Sequence, residues 1–305
     1  MDGSSKSSSD LLAFSESLAD AVALARVSTA LVNARHRIPA SGIVYRADLI
    51  LTADHVLERD EDIQVILEGG KECSATVAGR DPARDLALLR LSESSAVPAE
   101  SAPTSGRIGN LVLAIGRPEP ASVQVSQGVI SAFGGPVHTR RGSLLEQYIQ
   151  TDTFPFPGFS GGPLVNVQGK ILGLNTSGLS MGSLITIPVS IAWQAAEILA
   201  AQGRIPRGYL GLRTQIVEIS TAQRQQLNRE QETALLLVSV EDGGPAAKSG
   251  LIVGDILNSI NAQPVLNHDK LQEQIMKEKV GSAVSIEILR GGQLTSIVVT
   301  IGERS

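Results

Sequence analysis

The most informative segment of the sequence is residues 157–164, Pro157-Gly158-Phe159-Ser160-Gly161-Gly162-Pro163-Leu164. Glycines on both sides of Ser160 allow backbone φ values that a side chain forbids. The N–H groups of Gly158 and Ser160 can then point together at a developing oxyanion, where hydrogen-bond donors contribute most. The alternative is a glycine-rich hairpin turn with a solvent-exposed serine, so the interpretation depends on partners elsewhere in the chain.

A serine nucleophile needs a base, and the base needs a third group that orients it. The chain has four histidines, of which His55 directly follows an apolar strand, within Leu51-Thr52-Ala53-Asp54-His55-Val56. Asp85 opens another strand-like run, where a buried carboxylate requires a partner. Taken singly, His55 is also consistent with a capping or surface histidine, and Asp85 with an ion pair to Arg80 or Arg84.

The order of the three residues strengthens each of them. His55 precedes Asp85 by 30 residues and Asp85 precedes Ser160 by 75, which is the order of chymotrypsin-type triads. The segment also fits the G-x-S-x-G elbow of α/β-hydrolases, which requires a helix after the serine and a histidine last in the chain. Here Pro163–Val167 and Gly169 predict a hairpin instead, so we predict a chymotrypsin-type triad.

The pattern of apolar residues predicts a mainly β protein with two domains. From Ser41 to Ile187, short apolar runs alternate with Gly, Pro, Asp and Asn, as in a barrel or sandwich. A helix is predicted over Ile191–Ala201 with Ser190 as its N-cap. The expected organisation is a disordered tail over 1–14, a first domain over 15–202, a linker over 203–207, and a small α+β domain over 208–305.

Composition excludes several classes of function. The formal net charge is −5 and no long basic run exists, so a nucleic-acid partner is not expected. No run of 18 apolar residues is present, so no membrane-spanning helix is expected. The single cysteine, Cys73, cannot form an internal disulfide, and its alternating surroundings predict a structural thiol. No metal or cofactor is implied.

Several motifs together resemble the HtrA/Deg family of trypsin-like serine proteases with PDZ domains. They are Leu49–Val56 around His55, Gly79–Leu89 around Asp85, Gln150–Asp152 leading into Gly158–Leu164, and Ile187–Ser190. The resemblance implies a trypsin-like double β-barrel followed by one PDZ domain. It also implies an ATP-independent endopeptidase acting on misfolded or unfolded proteins, with the backbone of Gly158, Phe159 and Ser160 as oxyanion hole.

Two departures from the family pattern concern the nucleophile loop. Phe159 replaces the usual asparagine, and Pro155-Phe156-Pro157 replaces an Ile-Asn-Pro run. They bear on whether the oxyanion hole is formed at rest. The alternative function is therefore a catalytically silent peptide-binding chaperone or adaptor with the same fold. The resemblance further implies a homo-oligomer, a trimer joined through the N-terminal region, and an extracytoplasmic location, although the chain shows no export signal.

The expected substrate pocket is apolar. A preference for Lys or Arg requires a carboxylate shortly before the serine, and positions 153–157 have none. We therefore expect small or medium apolar side chains at P1, the substrate residue before the scissile bond. The predicted walls are Phe154, Pro155, Asn175, Thr176, Ser177 and Ile185.

The second domain carries a predicted peptide site. Tyr209-Leu210-Gly211-Leu212 resembles the carboxylate-binding loop of PDZ domains, in which backbone N–H groups hold a chain-terminal carboxylate. Leu271 and Ile275 lie at i, i+4 spacing on a predicted helix, where either one floors a side-chain pocket or both are plain core. The expected partners are C-terminal peptides with an apolar last residue, besides unfolded polypeptide substrates.

Overall fold

The computed structural model describes residues 3–93, 96–138, 144–179, 184–221, 224–225 and 230–303. They belong to two compact units, Met1–Ile205 and Pro206–Ser305. Within these ranges, the helices are too short or too polar to cross a membrane.

The first unit begins with a six-stranded closed barrel in the order β1-β2-β3-β6-β5-β4. Its strands are β1 (Thr29–Asn33), β2 (Ala40–Arg46), β3 (Leu49–Thr52), β4 (Ile63–Ile66), β5 (Glu72–Asp81) and β6 (Leu86–Leu91). Strand β3 is buried along its whole length, which explains its continuous apolar run. Cys73 is buried in β5, and burial raises the pKa of its thiol, as a structural role requires.

A second closed barrel follows in the order β11-β14-β13-β12-β7-β8. Its strands are β7 (Leu111–Gly116), β8 (Gln124–Gly134), β11 (Tyr148–Thr151), β12 (Pro163–Asn166), β13 (Ile171–Thr176) and β14 (Ile185–Pro188), with a small hairpin of β9 (Val137–His138) and β10 (Leu144–Leu145). Strands β12 and β13 are hairpin partners after the nucleophile loop, as predicted. The double barrel expected from the sequence is confirmed.

Two helices pack against the barrels, and the second begins two residues earlier than expected. Helix α1 covers Gly3–Val27 and α2 covers Val189–Gln202. The disordered tail predicted over 1–14 is therefore wrong from residue 3 onward. Ala21 and Ala25 are fully buried against the barrels and anchor α1, and helix propagates easily from such a nucleus. Pro188, not Ser190, occupies the N-cap of α2, while Gly203 ends it with φ 72° as expected.

The second unit is built on a six-stranded antiparallel sheet with short helices. The elements are β15 (Gly208–Tyr209), β16 (Leu212–Glu218), β17 (Thr233–Val240), α3 (Pro245–Lys248), β18 (Ile256–Ile260), β19 (Gln263–Pro264), α4 (His268–Lys277), β20 (Ala283–Arg290), β21 (Gln293–Thr300) and β22 (Gly302–Glu303). The sheet order is β16-β17-β18-β20-β21, so β16 is an edge strand. Apolar side chains from the sheet and α4 form a separate core, which confirms the α+β prediction.

Candidate active site

The first barrel positions the histidine and the aspartate. His55 lies in a 3-10 turn, Asp54–Val56, directly after β3, and Asp85 immediately precedes β6. These two strands are paired, with Thr52 opposite Ala87. Strand register therefore brings together two residues that lie 30 positions apart in the sequence.

The carboxylate of Asp85 holds the His55 ring. His55 Nδ1 lies 2.8 Å from Asp85 Oδ2, and the His55 backbone N–H donates to Asp85 Oδ1 at 2.8 Å. The Thr176 hydroxyl also donates to Oδ2. The Asp85 side chain is only 5% exposed, and these hydrogen bonds compensate the burial of its charge. With Nδ1 bonded to the carboxylate, His55 Nε2 is left to act as a base.

The alternative partners for Asp85 are engaged elsewhere. Arg80 donates to Asp54 Oδ1 at 2.8 Å and also pairs with Asp60. Arg84 lies 3.2 Å from Glu146. Asp85 itself has a φ of 57°, in the left-handed region that aspartate adopts more readily than most residues.

The nucleophile loop follows the conformation that its glycines allow. Gly158 and Gly161 have φ values of 90° and 87°, and a Cβ on Gly161 would lie 2.0 Å from the Ser41 carbonyl oxygen. Ser41 fastens the loop, because its hydroxyl donates to Gly158 O at 2.7 Å and its N–H donates to Ser160 O at 3.1 Å. No local pattern in the sequence indicated Ser41, because its role depends on contact between the two barrels.

Two backbone donors are available beside Ser160. Within the described ranges, the N–H groups of Gly158 and Ser160 donate to no other backbone or side-chain group. The inclusion of Phe159 in the oxyanion hole needs correction, because its N–H donates to Phe156 O at 3.2 Å inside the turn. The Phe159 ring is instead part of the second barrel's core, at 1% exposure and against Phe156.

The Ser160 hydroxyl is hydrogen-bonded to Ser177 rather than to its predicted base. Its Oγ lies 3.0 Å from Ser177 Oγ, and the Ser177 N–H approaches it at 3.4 Å. Among the residues that the structure describes, Ser160 makes no hydrogen bond to His55, although both line one cleft. The third residue of the predicted triad is therefore in the cleft but not in the hydrogen-bonded row.

The cleft of about 340 Å³ is lined by Arg35, Arg37, Ile38, His55, Pro155, Phe156, Pro157, Gly158, Ser160, Ser177 and Leu184. Pro155 and Ser177 are placed there as predicted. Four predicted wall residues are not among the lining. Asn175, Thr176 and Ile185 are buried behind the surface in β13 and β14, and Phe154 is 61% exposed and packs on Phe156.

The cleft also contains residues that the sequence did not indicate. Arg35 and Arg37 come from the loop between β1 and β2, where they flank His36. The only signal in the sequence was this Arg-His-Arg cluster. It gives no indication of position, because the loop reaches the cleft through tertiary contact alone.

The predicted peptide site of the second unit combines buried and partly buried residues. Leu210 and Leu271 are buried at 3% and 8% exposure. Leu212 and Ile275 are only partly buried against that core, and Gly211 has the left-handed φ of 76°. Tyr209 pairs with Gly302 between β15 and β22.

A histidine not singled out by the sequence contacts the edge strand beside these residues. His268 Nε2, on the first residue of α4, lies 2.8 Å from the Thr214 carbonyl oxygen of edge strand β16. The helix and the edge strand are therefore joined at one end.

Comparison with known families and proteins agrees with this geometry. Residues 40–174 match the family described as trypsin-like peptidase domain, and residues 208–301 match the PDZ domain. A probable periplasmic serine endoprotease, DegP-like, from Pseudomonas fluorescens is 33% identical over 270 residues, covering 86% of this chain and 56% of that protein. A relative of the same name from Ectopseudomonas mendocina is 35% identical with the same coverage.

Solved structures extend the comparison over nearly the whole chain. A serine endoprotease from Yersinia pestis is 29% identical with a TM-score of 0.76, covering 94% of this chain and 98% of that one. The HtrA-type protease AlgW with a decapeptide is 27% identical with a TM-score of 0.78, covering 94% and 99%. The chain spans about half the length of the curated relatives it matches, 56% for the first of them.

Fold and comparisons define a trypsin-like peptidase domain followed by a PDZ domain. The chain belongs to the HtrA/Deg family, as its motifs indicated. The extracytoplasmic location expected from the resemblance agrees with the periplasmic location in the relatives' names.

Proposed function

We propose that the chain is a serine endopeptidase that cleaves unfolded or misfolded polypeptides without ATP. The observation that carries the proposal is one cleft that contains Ser160, the Asp85-held His55 and two unused backbone N–H groups. Nucleophile, oriented base and oxyanion donors are the three components that acyl transfer requires.

The proposed mechanism begins with a rotation about the Ser160 side chain. Ser160 is only 8% exposed but lines the cleft, and a change to another staggered rotamer away from Ser177 is proposed to direct Oγ to His55 Nε2. Ser160 Oγ attacks the scissile carbonyl while His55 takes its proton, and the N–H groups of Gly158 and Ser160 hold the oxyanion. His55 then protonates the leaving amine, and a water molecule repeats the sequence to hydrolyse the acyl-enzyme.

Specificity for an apolar P1 residue follows from the cleft wall. On the second-barrel side the wall is formed by Pro155, Phe156, Pro157 and Leu184, with no acidic side chain among the described lining residues. A desolvated cationic P1 side chain would lack a partner there. Small and medium apolar side chains are the proposed preference.

The PDZ domain is proposed to bind C-terminal peptides with an apolar last residue. Edge strand β16 offers unpaired backbone groups to an added strand, and the partly buried Leu212 and Ile275 offer apolar surface beside it. The similar protease AlgW has been solved with a decapeptide and with a tripeptide. Such binding recruits substrates or regulates the peptidase domain.

We also propose that the chain forms homo-oligomers, as trimers joined through the N-terminal region. Helix α1 exposes Leu11, Leu12 and Phe14, with 67%, 63% and 45% of their surfaces accessible. Three large apolar side chains close together on one helix favour self-association.

A second candidate function is a catalytically silent peptide-binding chaperone or adaptor. The observation that favours it is the hydrogen bond of Ser160 to Ser177 in place of His55, together with Phe159 before the nucleophile. In that case the fold would hold polypeptides without cleaving them.

Labelling with a fluorophosphonate probe separates the two functions. We expect labelling and casein hydrolysis by the unmodified protein, and neither by Ser160→Ala. Labelling of Ser160→Ala at the same rate would place the reactive group elsewhere. If neither the unmodified protein nor Ser177→Ala were labelled or cleaved casein, while both bound unfolded casein, the adaptor function would replace the protease.

A further inference from the structure

The active-site cleft has two walls of different chemistry. The second barrel contributes Pro155, Phe156, Pro157 and Leu184, whose side chains are apolar. The first barrel contributes Arg35 and Arg37. No acidic residue lies among the described residues that line the cleft, so two positive charges face a site that otherwise suits apolar groups.

The loop that carries the arginines is held in place against the nucleophile loop. Arg35 donates from Nε to Ile38 O and from Nη2 to Pro39 O, which fixes the bend of the loop. A Cβ on Gly158 would lie 3.0 Å from Pro39 O, so the loop passes directly beside the oxyanion donors. The two arginines are therefore presented by an ordered segment of the protein.

Both arginines remain able to bind an anionic group. Neither forms an ion pair within 4 Å in the part of the chain that the structure describes. Glu58 accepts from the His36 N–H at 3.2 Å and acts on Arg35 only at longer range. Burial lowers the pKa of Arg35, but a guanidinium stays a cation at neutral pH because its ordinary pKa exceeds about 12.

The direction of a bound polypeptide follows from the chemistry. The P1 side chain occupies the apolar wall of the second barrel. The leaving amine must lie at His55, which protonates it, and His55 belongs to the first barrel. Residues after the scissile bond therefore continue along the first-barrel wall, past Arg35 and Arg37.

We infer that Arg35 and Arg37 form a subsite for a carboxylate on the leaving-group side of the scissile bond, within the first three residues after it. This inference rests on the proposed endopeptidase function and specifies its substrates. The carboxylate comes from an Asp or Glu side chain, or from a free chain terminus when cleavage falls close to the end. Guanidinium groups bind carboxylates through paired N–H donors, with more affinity where water is partly excluded.

The test uses quenched fluorescent peptides that differ at one position. Each has an apolar P1 residue and either Glu or Gln as the second residue after the scissile bond, with an amidated C-terminus. We expect kcat/KM for the Glu peptide to exceed that for the Gln peptide by about three- to tenfold at low salt, the range of a partly exposed charge-assisted hydrogen bond. The ratio should approach one in the Arg35→Gln/Arg37→Gln double variant and with rising salt.

Controls separate the subsite from the catalytic function. Arg107→Gln removes an exposed arginine outside the cleft and should keep the ratio of the unmodified protein. Fluorophosphonate labelling counts active sites in every variant. A matched pair of Gln peptides, amidated or with a free C-terminus two residues after the bond, measures the terminal carboxylate.

Binding gives a second readout that does not require cleavage. Fluorescence anisotropy of the same peptides on Ser160→Ala should show tighter binding of the Glu peptide, lost in Ser160→Ala/Arg35→Gln/Arg37→Gln. A Glu-to-Gln ratio of one in both assays, with normal labelling, would overturn the subsite and leave the protease function standing. Absent labelling with a retained binding preference would overturn the protease function alone.

Discussion

The hydroxyl of Ser177 competes with His55 for the nucleophile. Ser160 Oγ is 3.0 Å from Ser177 Oγ and must leave this partner before it can pass its proton to the imidazole. Breaking a hydrogen bond of this kind costs about 1 kcal/mol net. Ser177 therefore adds a modest barrier to acylation, in addition to any contact that it makes with substrate.

We predict that Ser177→Ala accelerates acylation. Because its hydrogen bond is lost, fluorophosphonate labelling should become about three- to tenfold faster. The measurement is the labelling rate at fixed probe concentration, with Ser105→Ala as the matched control at an exposed loop position. A decrease in the rate would show that Ser177 supports the reactive position of Ser160.

How far single residues could be predicted depended on whether they act through local pattern. His55, Asp85 and Ser160 each lie next to a recognisable apolar or glycine-rich run, and their order in the chain indicated a chymotrypsin-type triad. Arg35 and Ser41 carry no such pattern, and Ser177 was predicted as a pocket wall but not as the hydrogen-bond partner of Ser160. Their roles arise from contacts across the two barrels, such as Ser41 with Gly158 at a separation of 117 residues, and a single sequence does not encode these contacts in any short stretch.

At the scale of elements, a buried arginine connects α1, β1 and the turn between β4 and β5. Arg117 is 2% exposed, donates to Thr29 O at 2.8 Å and to Arg26 O at 2.9 Å, and pairs with Glu68. Burial alone would raise the pKa of Glu68, but hydrogen bonds from Arg117 and Arg26 outweigh it and lower this pKa. The Arg117 N–H also donates to Ser41 Oγ, so the cluster adjoins the nucleophile loop.

We predict that Arg117→Leu destabilises the first unit by about 3–5 kcal/mol, since a partly buried carboxylate and the carbonyl groups of Thr29, Arg26 and Pro120 lose this donor. Urea unfolding at neutral pH measures the loss. Arg46→Leu is the matched control, because Arg46 pairs with Glu197 at the exposed surface and should cost no more than about 1 kcal/mol. Equal losses for the two variants would contradict the prediction.

A second ion pair joins two strands of the PDZ sheet. Asp255, buried just before β18, accepts two hydrogen bonds of 2.7 Å from Arg290 at the end of β20 and one of 2.9 Å from the Ile252 N–H. Burial alone would raise the pKa of Asp255, but these donors outweigh it and hold the pKa below its ordinary value. Folding therefore favours the ionised carboxylate.

The stability of the PDZ unit should consequently fall in acid. With a folded-state pKa below the unfolded value of about 3.9, the contribution is complete above that pH and is lost as the pH falls through the folded value. The slope contributed by this one proton reaches at most about 1.4 kcal/mol per pH unit. Amide hydrogen exchange in β18 and β20 measures it.

Asp255→Asn should flatten this acid dependence. Asp242→Asn, at an exposed position of the same unit, should leave it unchanged. An unaltered slope in Asp255→Asn would assign the acid sensitivity to other carboxylates.

Element boundaries were predictable where apolar periodicity extends to the end of the element. Most strands of both barrels follow the apolar runs seen in the sequence. Helix α1 was missed in its first half because serines there weaken helix propensity. Burial of Ala21 and Ala25 stabilises the helix, and this burial is a property of the folded barrels.

At the scale of the whole molecule, each unit has its own apolar core. The core of the second unit contains only residues from Leu210 onward, and the chain divides at Ile205 and Pro206. The predicted linker at 203–207 falls on this division. Pro206 and the polar residues around it are the sequence signal for a domain boundary, which typically lies in such segments.

We predict that residues 206–305 fold when produced alone. A unit of this size with its own core should have a free energy of unfolding of roughly 5–15 kcal/mol and a single urea transition. It should also bind a fluorescent peptide with an apolar C-terminal residue more tightly than the amidated form. A collapsed fragment with poorly dispersed NMR signals would contradict independent folding.

The left-handed backbone of Asp85 restricts how this protein can change during evolution. Aspartate and asparagine are the two residues besides glycine that tolerate such a conformation best. An exchange of Asp85 for asparagine therefore preserves the backbone before β6, while it removes the charge that stabilises the imidazolium. One nucleotide change converts an aspartate codon to an asparagine codon. Descendants that have lost hydrolysis but kept the fold are therefore expected to carry asparagine at this position.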